Sequence, residues 1–220
     1  MERVHWTVPD NEQFDMDNSF DIIIAKEEDH TRLCRFMNEY FIKGEPLNMA
    51  VSHKVSPEDN SLYYPLETLL EGTSLIAVTK KEGDILGVCL NKTKSKSDEN
   101  EYDDGKFGRF LNKVEGSVDI WSLTGTDRAL NVYMIAVSDR AQGRGIGKAL
   151  VEHSRELARS KGFPLLYMLC SSFYSAKIAR KVGMQCVYSL QYSEYKDEQG
   201  IPVFLPPEPH KEIASFIQKL

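Results

Sequence analysis

The chain of 220 residues has no apolar run approaching the ~18 residues that a membrane-spanning helix needs, which argues against a membrane protein. Its start, MERVHWTVPDNEQFDMDNSF, carries acids where a secretory signal requires an apolar centre. Positive charge is also in short supply: 27 Lys and Arg stand against 33 Asp and Glu, a formal net charge of −6. A nucleic-acid binder needs a basic face for phosphate, so that class is set aside. Cysteine is sparse and scattered. Cys34, Cys89, Cys170 and Cys186 form no C-x-x-C pair and each neighbours apolar residues, so small buried thiols in a reducing compartment are expected. The five histidines are equally dispersed, with no H-E-x-x-H, and no metal site is expected. These absences lead to the expectation of a cytoplasmic monomer without nucleic-acid or membrane partners. What is present, 41% hydrophobic and 27% charged residues, suits a globular domain with a sizeable core.

The first twenty residues are polar and non-periodic and read as a tail, leaving 21–220 as one domain. Asp21–Ala25 is a β-branched run that predicts a strand. From Asp29, a suitable cap, Leu33, Phe36, Met37, Tyr40 and Phe41 recur at helical spacing until Gly44 and Pro46 end the pattern. A weaker helix is expected around Glu58–Leu70, then strands at Ser74–Lys80 and Ile85–Leu90 joined by a polar turn. The segment Lys92–Lys106, basic and then acidic, reads as a solvated loop. Strand and helix then alternate: strands at Asn131–Val137, Pro164–Leu169 and Met184–Tyr192, helices at Gly145–Lys161 and Ser172–Val182. His153 falls on an apolar helix stripe, where a satisfied structural histidine is expected, and Ile213, Phe216, Ile217 and Leu220 make a last amphipathic stripe. The pattern predicts a mixed α/β sheet covered by helices.

The most informative stretch is MIAVSDRAQGRGIGKAL, a strand that runs through a glycine-rich turn into a helix. Gly143, Gly145 and Gly147 free the backbone of side chains, so successive N–H groups can converge on an anion. The new helix adds its unpaired amides and the positive end of its dipole, and Arg140, Arg144 and Lys148 add charge. A phosphate-binding turn follows from these properties alone. Two familiar phosphate motifs fail on spacing. A Walker loop needs glycine where Gln142 stands and Ser or Thr where Ala149 stands, and a dinucleotide fingerprint needs glycine at Lys148. The spacing Q-x-x-G-x-G of Gln142, Gly145 and Gly147 resembles the acetyl-coenzyme-A motif of the Gcn5-related N-acetyltransferase superfamily.

That resemblance implies that fold, an α/β (α+β) mixed and mostly antiparallel sheet flanked by helices. It also implies acetyl-coenzyme A (acetyl-CoA) as co-substrate. The pyrophosphate would lie on the amides of Gln142, Gly143, Arg144, Gly145, Ile146, Gly147 and Lys148, and the pantetheine arm along Ile135, Ala136 and Val137. FIKGEPLN (Phe41–Asn48), LCSSFYSAKIARKVGM (Leu169–Met184) and VFLPPEPH (Val203–His210) are similar to segments of insect-type arylalkylamine N-acetyltransferases, a family that includes dopamine N-acetyltransferases. The activity implied is acetylation of a small primary amine of the dopamine, serotonin, tryptamine or tyramine class. Other amines and peptide N-termini are alternative acceptors on the same fold, and a non-catalytic acyl-CoA-binding module is a further alternative.

The chemistry asks for particular groups. An alkylammonium has a pKa near 10, like lysine, so a base must remove its proton before nitrogen attacks a thioester. The carbonyl oxygen that gains charge needs a donor, which a backbone N–H at a splayed strand supplies. Glu45, between Gly44 and Pro46, matches the family's proposed base. The tyrosine acid common in the superfamily is absent, because Ala179 occupies its place. The resemblance instead implies catalytic roles for Ser171 and Ser175, the latter also against the thioester, and a proton-carrying or pocket role for His210. Structural readings stand beside these: a helix cap for Ser171 and a surface position at a helix start for His210. Tyr174 is an alternative acid, and Cys170 an alternative nucleophile that ends an apolar strand with no histidine base nearby in sequence. The aromatics Phe36, Tyr40, Phe41, Tyr63, Tyr64, Phe173 and Tyr174 suit either an arene-sized pocket or an ordinary core.

Overall fold

A computed structural model describes residues 19–50, 66–98, 102 and 105–220. The expected N-terminal tail and most of the helix expected at Glu58–Leu70 lie outside the described residues. In chain order the elements are β1 (Phe20–Ile24), α1 (His30–Met37), α2 (Pro46–Ala50), α3 (Leu66–Leu70), β2 (Leu75–Thr79), β3 (Ile85–Ser95) and α4 (Lys106–Gly116). Then follow α5 (Ile120–Thr124), β4 (Arg128–Val137), α6 (Ile146–Ser160), β5 (Leu165–Cys170), α7 (Phe173–Lys181), β6 (Gln185–Gln191) and β7 (Glu212–Lys219).

The strands form one seven-stranded sheet in the order β1-β2-β3-β4-β5-β7-β6. Every neighbouring pair is antiparallel except β4 and β5, which run parallel. α6 and α7 cover one face through Ile146, Leu150, Val151, Ala176 and Ala179. α1 covers the other through Leu33, Phe36 and Met37, which pack on Ile76, Val88 and Leu90. On that same side α2 and α4 close over β6 and β7 through Leu47, Phe110, Val114 and Ile213. Burial of apolar surface on both faces explains why β2, LIAVT, is an unbroken apolar run rather than an alternating one.

Three expectations are corrected. The stripe at Ile213, Phe216, Ile217 and Leu220 has helical spacing, yet Glu212–Lys219 is a strand. Between β5 and β6 it is buried on both faces, so its apolar residues follow no single period. The segment expected to be a loop from Lys92 begins as strand, because β3 runs on to Ser95 and pairs with Arg128–Val132. Its lysines have partners a linear reading does not show: Lys92 Nζ lies 3.8 Å from the Tyr133 ring centroid, and Lys94 meets Glu115 at 2.9 Å. Asp29 does precede α1, but its carboxylate accepts from the Lys26 amide and pairs with Arg32 instead of capping a first-turn amide.

His153 is partly buried and its Nδ1–H donates to the Ala149 carbonyl at 2.8 Å, the satisfied histidine expected. Cys89 and Cys170 are buried thiols, whereas Cys34 is half-buried and Cys186 is exposed on the edge strand β6.

Candidate active site

β4 and β5 touch only at their beginnings. Leu130 pairs with Leu166 and Asn131 with Tyr167, and beyond these the strands diverge while β4 continues to Val137 and β5 to Cys170. A register shift opposite Leu90/Asn91 leaves Tyr133 as an extra residue in β4, and such a bulge bends its strand. The divergence opens a cavity of about 100 Å³. β4 lines it with Val132–Ile135, β5 with Met168 and Leu169, the helical turn Asn38–Ile42 that follows α1 with Tyr40 and Phe41, the turn after it with Glu45, and the start of α7 with Ser171, Ser172 and Ser175.

Glu45 is only 6% exposed. Gly44 and Pro46 end the first helical segment there, and the Glu45 side chain then caps α2: Oε2 accepts from the Asn48 amide at 2.7 Å. Oε1 is buried without a hydrogen-bond partner. Burial pushes the carboxyl above the ordinary glutamate range, opposed by the Asn48 amide, the nearby Ser171 side chain and the Leu47 amide. A buried carboxyl with one oxygen uncommitted beside a cavity is suited to exchange protons with whatever enters it.

Ser171 and Ser175 both line the cavity. Ser172, not Ser171, is the N-cap of α7. Its Oγ accepts from the Ser175 amide at 3.0 Å and lies 2.9 Å from Ser175 Oγ, while the Ser171 carbonyl accepts from the Tyr192 hydroxyl at 2.6 Å. Tyr192 is 2% exposed, and burial together with the Glu45 charge raises its pKa. It anchors the serine segment beside Glu45, and nothing local in the sequence marks it for this.

His210 is 8% exposed and precedes a strand, so neither the surface position nor the helix start expected for it is found. Its Nδ1 accepts from the Phe173 amide, the first of α7, at 3.2 Å. That bond requires the neutral ring with its proton on Nε2, and burial lowers the His210 pKa accordingly. His210 is not part of the cavity wall; it holds the helix whose start is. Cys170 is wholly buried, its thiol pushed up to about 12 by burial, far from a nucleophile's range. Tyr174 is 60% exposed and stacks edge-on against His210, outside the cavity wall. Of the aromatics, Tyr40 and Phe41 line the cavity, Phe36 is core, Phe173 is exposed, and Tyr63 and Tyr64 lie outside the described residues.

The glycine-rich turn follows β4 directly. Gly143 and Gly145 adopt φ of 78° and 79°, and no atom lies within 4 Å of where a Cβ would stand on either. Both glycines are exposed, so the backbone of the turn is open to solvent there. Gly145 is the N-cap of α6, whose first helical bond is from the Ala149 amide to the Gly145 carbonyl, so the amides just before Ala149 have no partner within the helix, whereas the Gln142 amide, expected to face the pyrophosphate, donates to the Asp139 carbonyl at 3.4 Å. Gly147 has a different reason: a Cβ there would meet Ile178 Cδ1 at 2.8 Å, so it permits close packing of α6 on α7. The added cations are partly matched, Lys148 with Glu152 at 2.8 Å and Arg140 with Asp84 at 3.6 Å. Ile135–Val137 pair with Gly87–Cys89 on one side, and on the other face the opening left by β5. Among the described residues no three His, Cys, Asp or Glu side chains are grouped to hold a metal ion, and no helix is long and apolar enough to cross a membrane.

A strand pair splayed at a bulge, a glycine turn opening a helix at the end of one strand, and a buried carboxylate across the gap define an acetyltransferase fold with its cleft. A model of the acetyltransferase (GNAT) family matches residues 46–184, more than half of the chain, and the chain belongs to that family. Solved structures agree in fold. Arylalkylamine N-acetyltransferase 2 from Aedes aegypti superposes with a TM-score of 0.82 at 23% identity, over 91% of this chain and 98% of that one. The Drosophila melanogaster polyamine N-acetyltransferase, an enzyme that forms N-acetylagmatine, gives 0.78 at 25% identity over 92% and 100%. An agmatine N-acetyltransferase in a mutant apo form gives 0.79 at 25% identity over 91% and 99%.

Proposed function

We propose that the protein transfers the acetyl group of acetyl-CoA to the primary amine of a small arylalkylamine, of the tyramine, dopamine, serotonin or tryptamine class, by direct attack with both substrates bound. The observation that carries this reading is the cavity between the diverging β4 and β5, with the buried Glu45 on one wall and the glycine turn at the end of the other. Acetyl-CoA, when bound, supplies the thioester. The residues that fit it are the amides from Gly143 to Lys148 for the pyrophosphate and the open edge of Ile135–Val137 for the pantetheine arm. The exposed backbone at Gly143 and Gly145, free of neighbouring atoms, supports that assignment.

Glu45 receives the amine as a cation and takes its proton, directly or through one water. Burial raises its pKa above the ordinary glutamate range, which makes it a stronger base than an exposed carboxylate. Ser171 and Ser175 place hydroxyls on the same cavity, where they serve the departing sulfur. His210 acts at one remove, by holding the first amide of α7. Tyr40, Phe41 and Tyr133 give the acceptor side an aromatic wall suited to an arene. A second reading, an aliphatic diamine as acceptor, is favoured by the two structures at 25% identity whose names refer to agmatine and polyamine.

The test is a panel of arylalkylamines, polyamines and N-terminal peptides assayed for coenzyme A release. Highest kcat/KM on arylalkylamines supports the first reading and highest on agmatine the second. Highest on peptides replaces both while leaving the fold in place.

A further inference from the structure

Between β5 and the cap of α7 stands one residue, Ser171, that belongs to neither element. The β5–β7 ladder ends at Cys170, opposite Ala214, and the bond that opens α7 runs from the Ala176 amide to the Ser172 carbonyl. The Ser171 carbonyl lies outside both patterns and takes its donor from a distant part of the chain. That donor is the Tyr192 hydroxyl, 2.6 Å away, in the short helical turn that follows β6. The distance is at the short end for a bond between two oxygens. Tyr192 is itself fixed. Its ring is buried in the same apolar cluster as Leu47 of α2, Phe110 of α4 and Phe204, and its amide donates to the Lys211 carbonyl at 2.9 Å. Lys211 follows His210, whose Nδ1 accepts from the Phe173 amide at 3.2 Å. The start of α7 is thus gripped on both sides of Ser172, at the Ser171 carbonyl and at the Phe173 amide, by two segments bonded to each other. Ser171 lines the cavity with Glu45, and its side chain acts against the rise in the Glu45 pKa. Burial and the Glu45 charge raise the Tyr192 pKa, so the hydroxyl remains a donor throughout the neutral range.

We propose that Tyr192 is a positioning residue for acetyl transfer: its hydroxyl, on the Ser171 carbonyl, fixes the turn into α7 and with it the placement of the Ser171 side chain against Glu45. This rests on the reading of Glu45 as the base. Tyr192 is not on the cavity wall and acts through Ser171. A phenyl ring would fill the cluster with Leu47 and Phe110 equally well, so the contribution of the hydroxyl is one of geometry. Geometry at a reacting centre is costly to lose: a misplacement of about 1 Å lowers a rate by as much as roughly 10²-fold.

The experiment compares the wild type with Tyr192→Phe, which keeps the ring and removes the donor. With the best amine of the panel above, kcat should fall roughly 10- to 10²-fold while the KM for acetyl-CoA stays within twofold. The acidic limb of the pH–kcat/KM profile should move to higher pH, because a Ser171 side chain that drifts from Glu45 no longer opposes the effect of burial. A merely structural tyrosine would lower the melting temperature and leave that limb in place. A kcat within twofold of wild type, or a limb that does not move, overturns the proposal. Should Tyr192→Phe fail to fold, Ser171→Ala decides. It keeps the carbonyl that Tyr192 holds and removes the hydroxyl, so its limb should move in the same direction, and an unmoved limb overturns the proposal. A wild type that binds acetyl-CoA yet acetylates no amine of the panel defeats the reading of Glu45 as the base and this proposal with it. An active wild type matched by Tyr192→Phe defeats the proposal alone, which distinguishes the two failures.

Discussion

On the side of α6 and α7 the wall of the cleft is backbone: the amides of the turn from Gly143 to Lys148 and the open edge of β4 beyond Asn131. On the side of α1 and α2 it is made of side chains: Glu45, Tyr40, Phe41 and Tyr133, with Lys92 behind the last. The two walls face different demands. A co-substrate of fixed shape is held by main-chain groups that need only glycine at the right places. An acceptor amine must be selected, deprotonated and positioned, which calls for titratable and aromatic groups from several parts of the chain. The backbone wall is therefore encoded locally and the side-chain wall by tertiary structure.

The comparison is broken most severely on the side-chain wall. Glu45→Gln keeps an acceptor for the Asn48 amide but removes the base, and kcat/KM for the amine should fall by roughly 10²–10⁴. In the wild type the acidic limb of the pH–kcat/KM profile should lie above the ordinary glutamate range, since burial raises the Glu45 pKa; in the variant that limb should vanish. The stability sign runs the other way. A carboxyl that binds its proton more tightly when folded loses stability as pH rises from the unfolded pKa through the folded one, so Glu45→Gln should melt no lower than wild type at neutral pH.

On the backbone wall, Gly145→Val places a β-branched residue at φ 79° and should weaken acetyl-CoA binding by more than tenfold in calorimetry, while tyramine protection of the site changes little. Gly147→Ala separates turn from packing. Its Cβ would meet Ile178 Cδ1 at 2.8 Å, so the cost should appear first as lost stability, about 1–3 kcal/mol in denaturant unfolding. Equal loss of acetyl-CoA affinity and no loss of stability would place Gly147 with the turn instead.

The smallest effect is at His210. Removing the acceptor of the Phe173 amide in His210→Ala should cost about 1 kcal/mol, and His210→Asn, which can still accept, should recover part of it. Because burial lowers the folded pKa, His210 favours the folded state above the unfolded histidine value, and that contribution is lost as pH falls from there toward the folded pKa. The acid-side fall in melting temperature should accordingly be shallower in His210→Ala.

How far the sequence carried follows the same division. Strand, glycine turn and helix from Met134 to Leu150 were legible because that pattern depends on contiguous residues, and the structure adds that Gly147 answers to Ile178 and that the Gln142 amide is held by Asp139. Glu45 was reached through its place at a helix end and the E-P-L-N resemblance, not through any property of a lone glutamate. Tyr192 was missed, because it meets the site only after β6 joins the sheet. The contact of Lys92 with the Tyr133 ring was missed too, hidden in a polar run that reads as solvated surface, although alternate residues of a strand can turn a lysine inward over an aromatic ring. The terminal strand was obscured for the opposite reason: buried on both faces, it shows no alternation to mark it.

The central claim is that both walls are filled at once and the acetyl group passes directly between them. Initial rates over a grid of acetyl-CoA and tyramine concentrations test it most directly. The account predicts double-reciprocal lines that intersect, since both substrates must be bound before transfer, with Cys170→Ala retaining that pattern because its thiol is buried and held near pKa 12. Parallel lines, with an acetylated enzyme trapped on Cys170 and activity lost in Cys170→Ala, would contradict it.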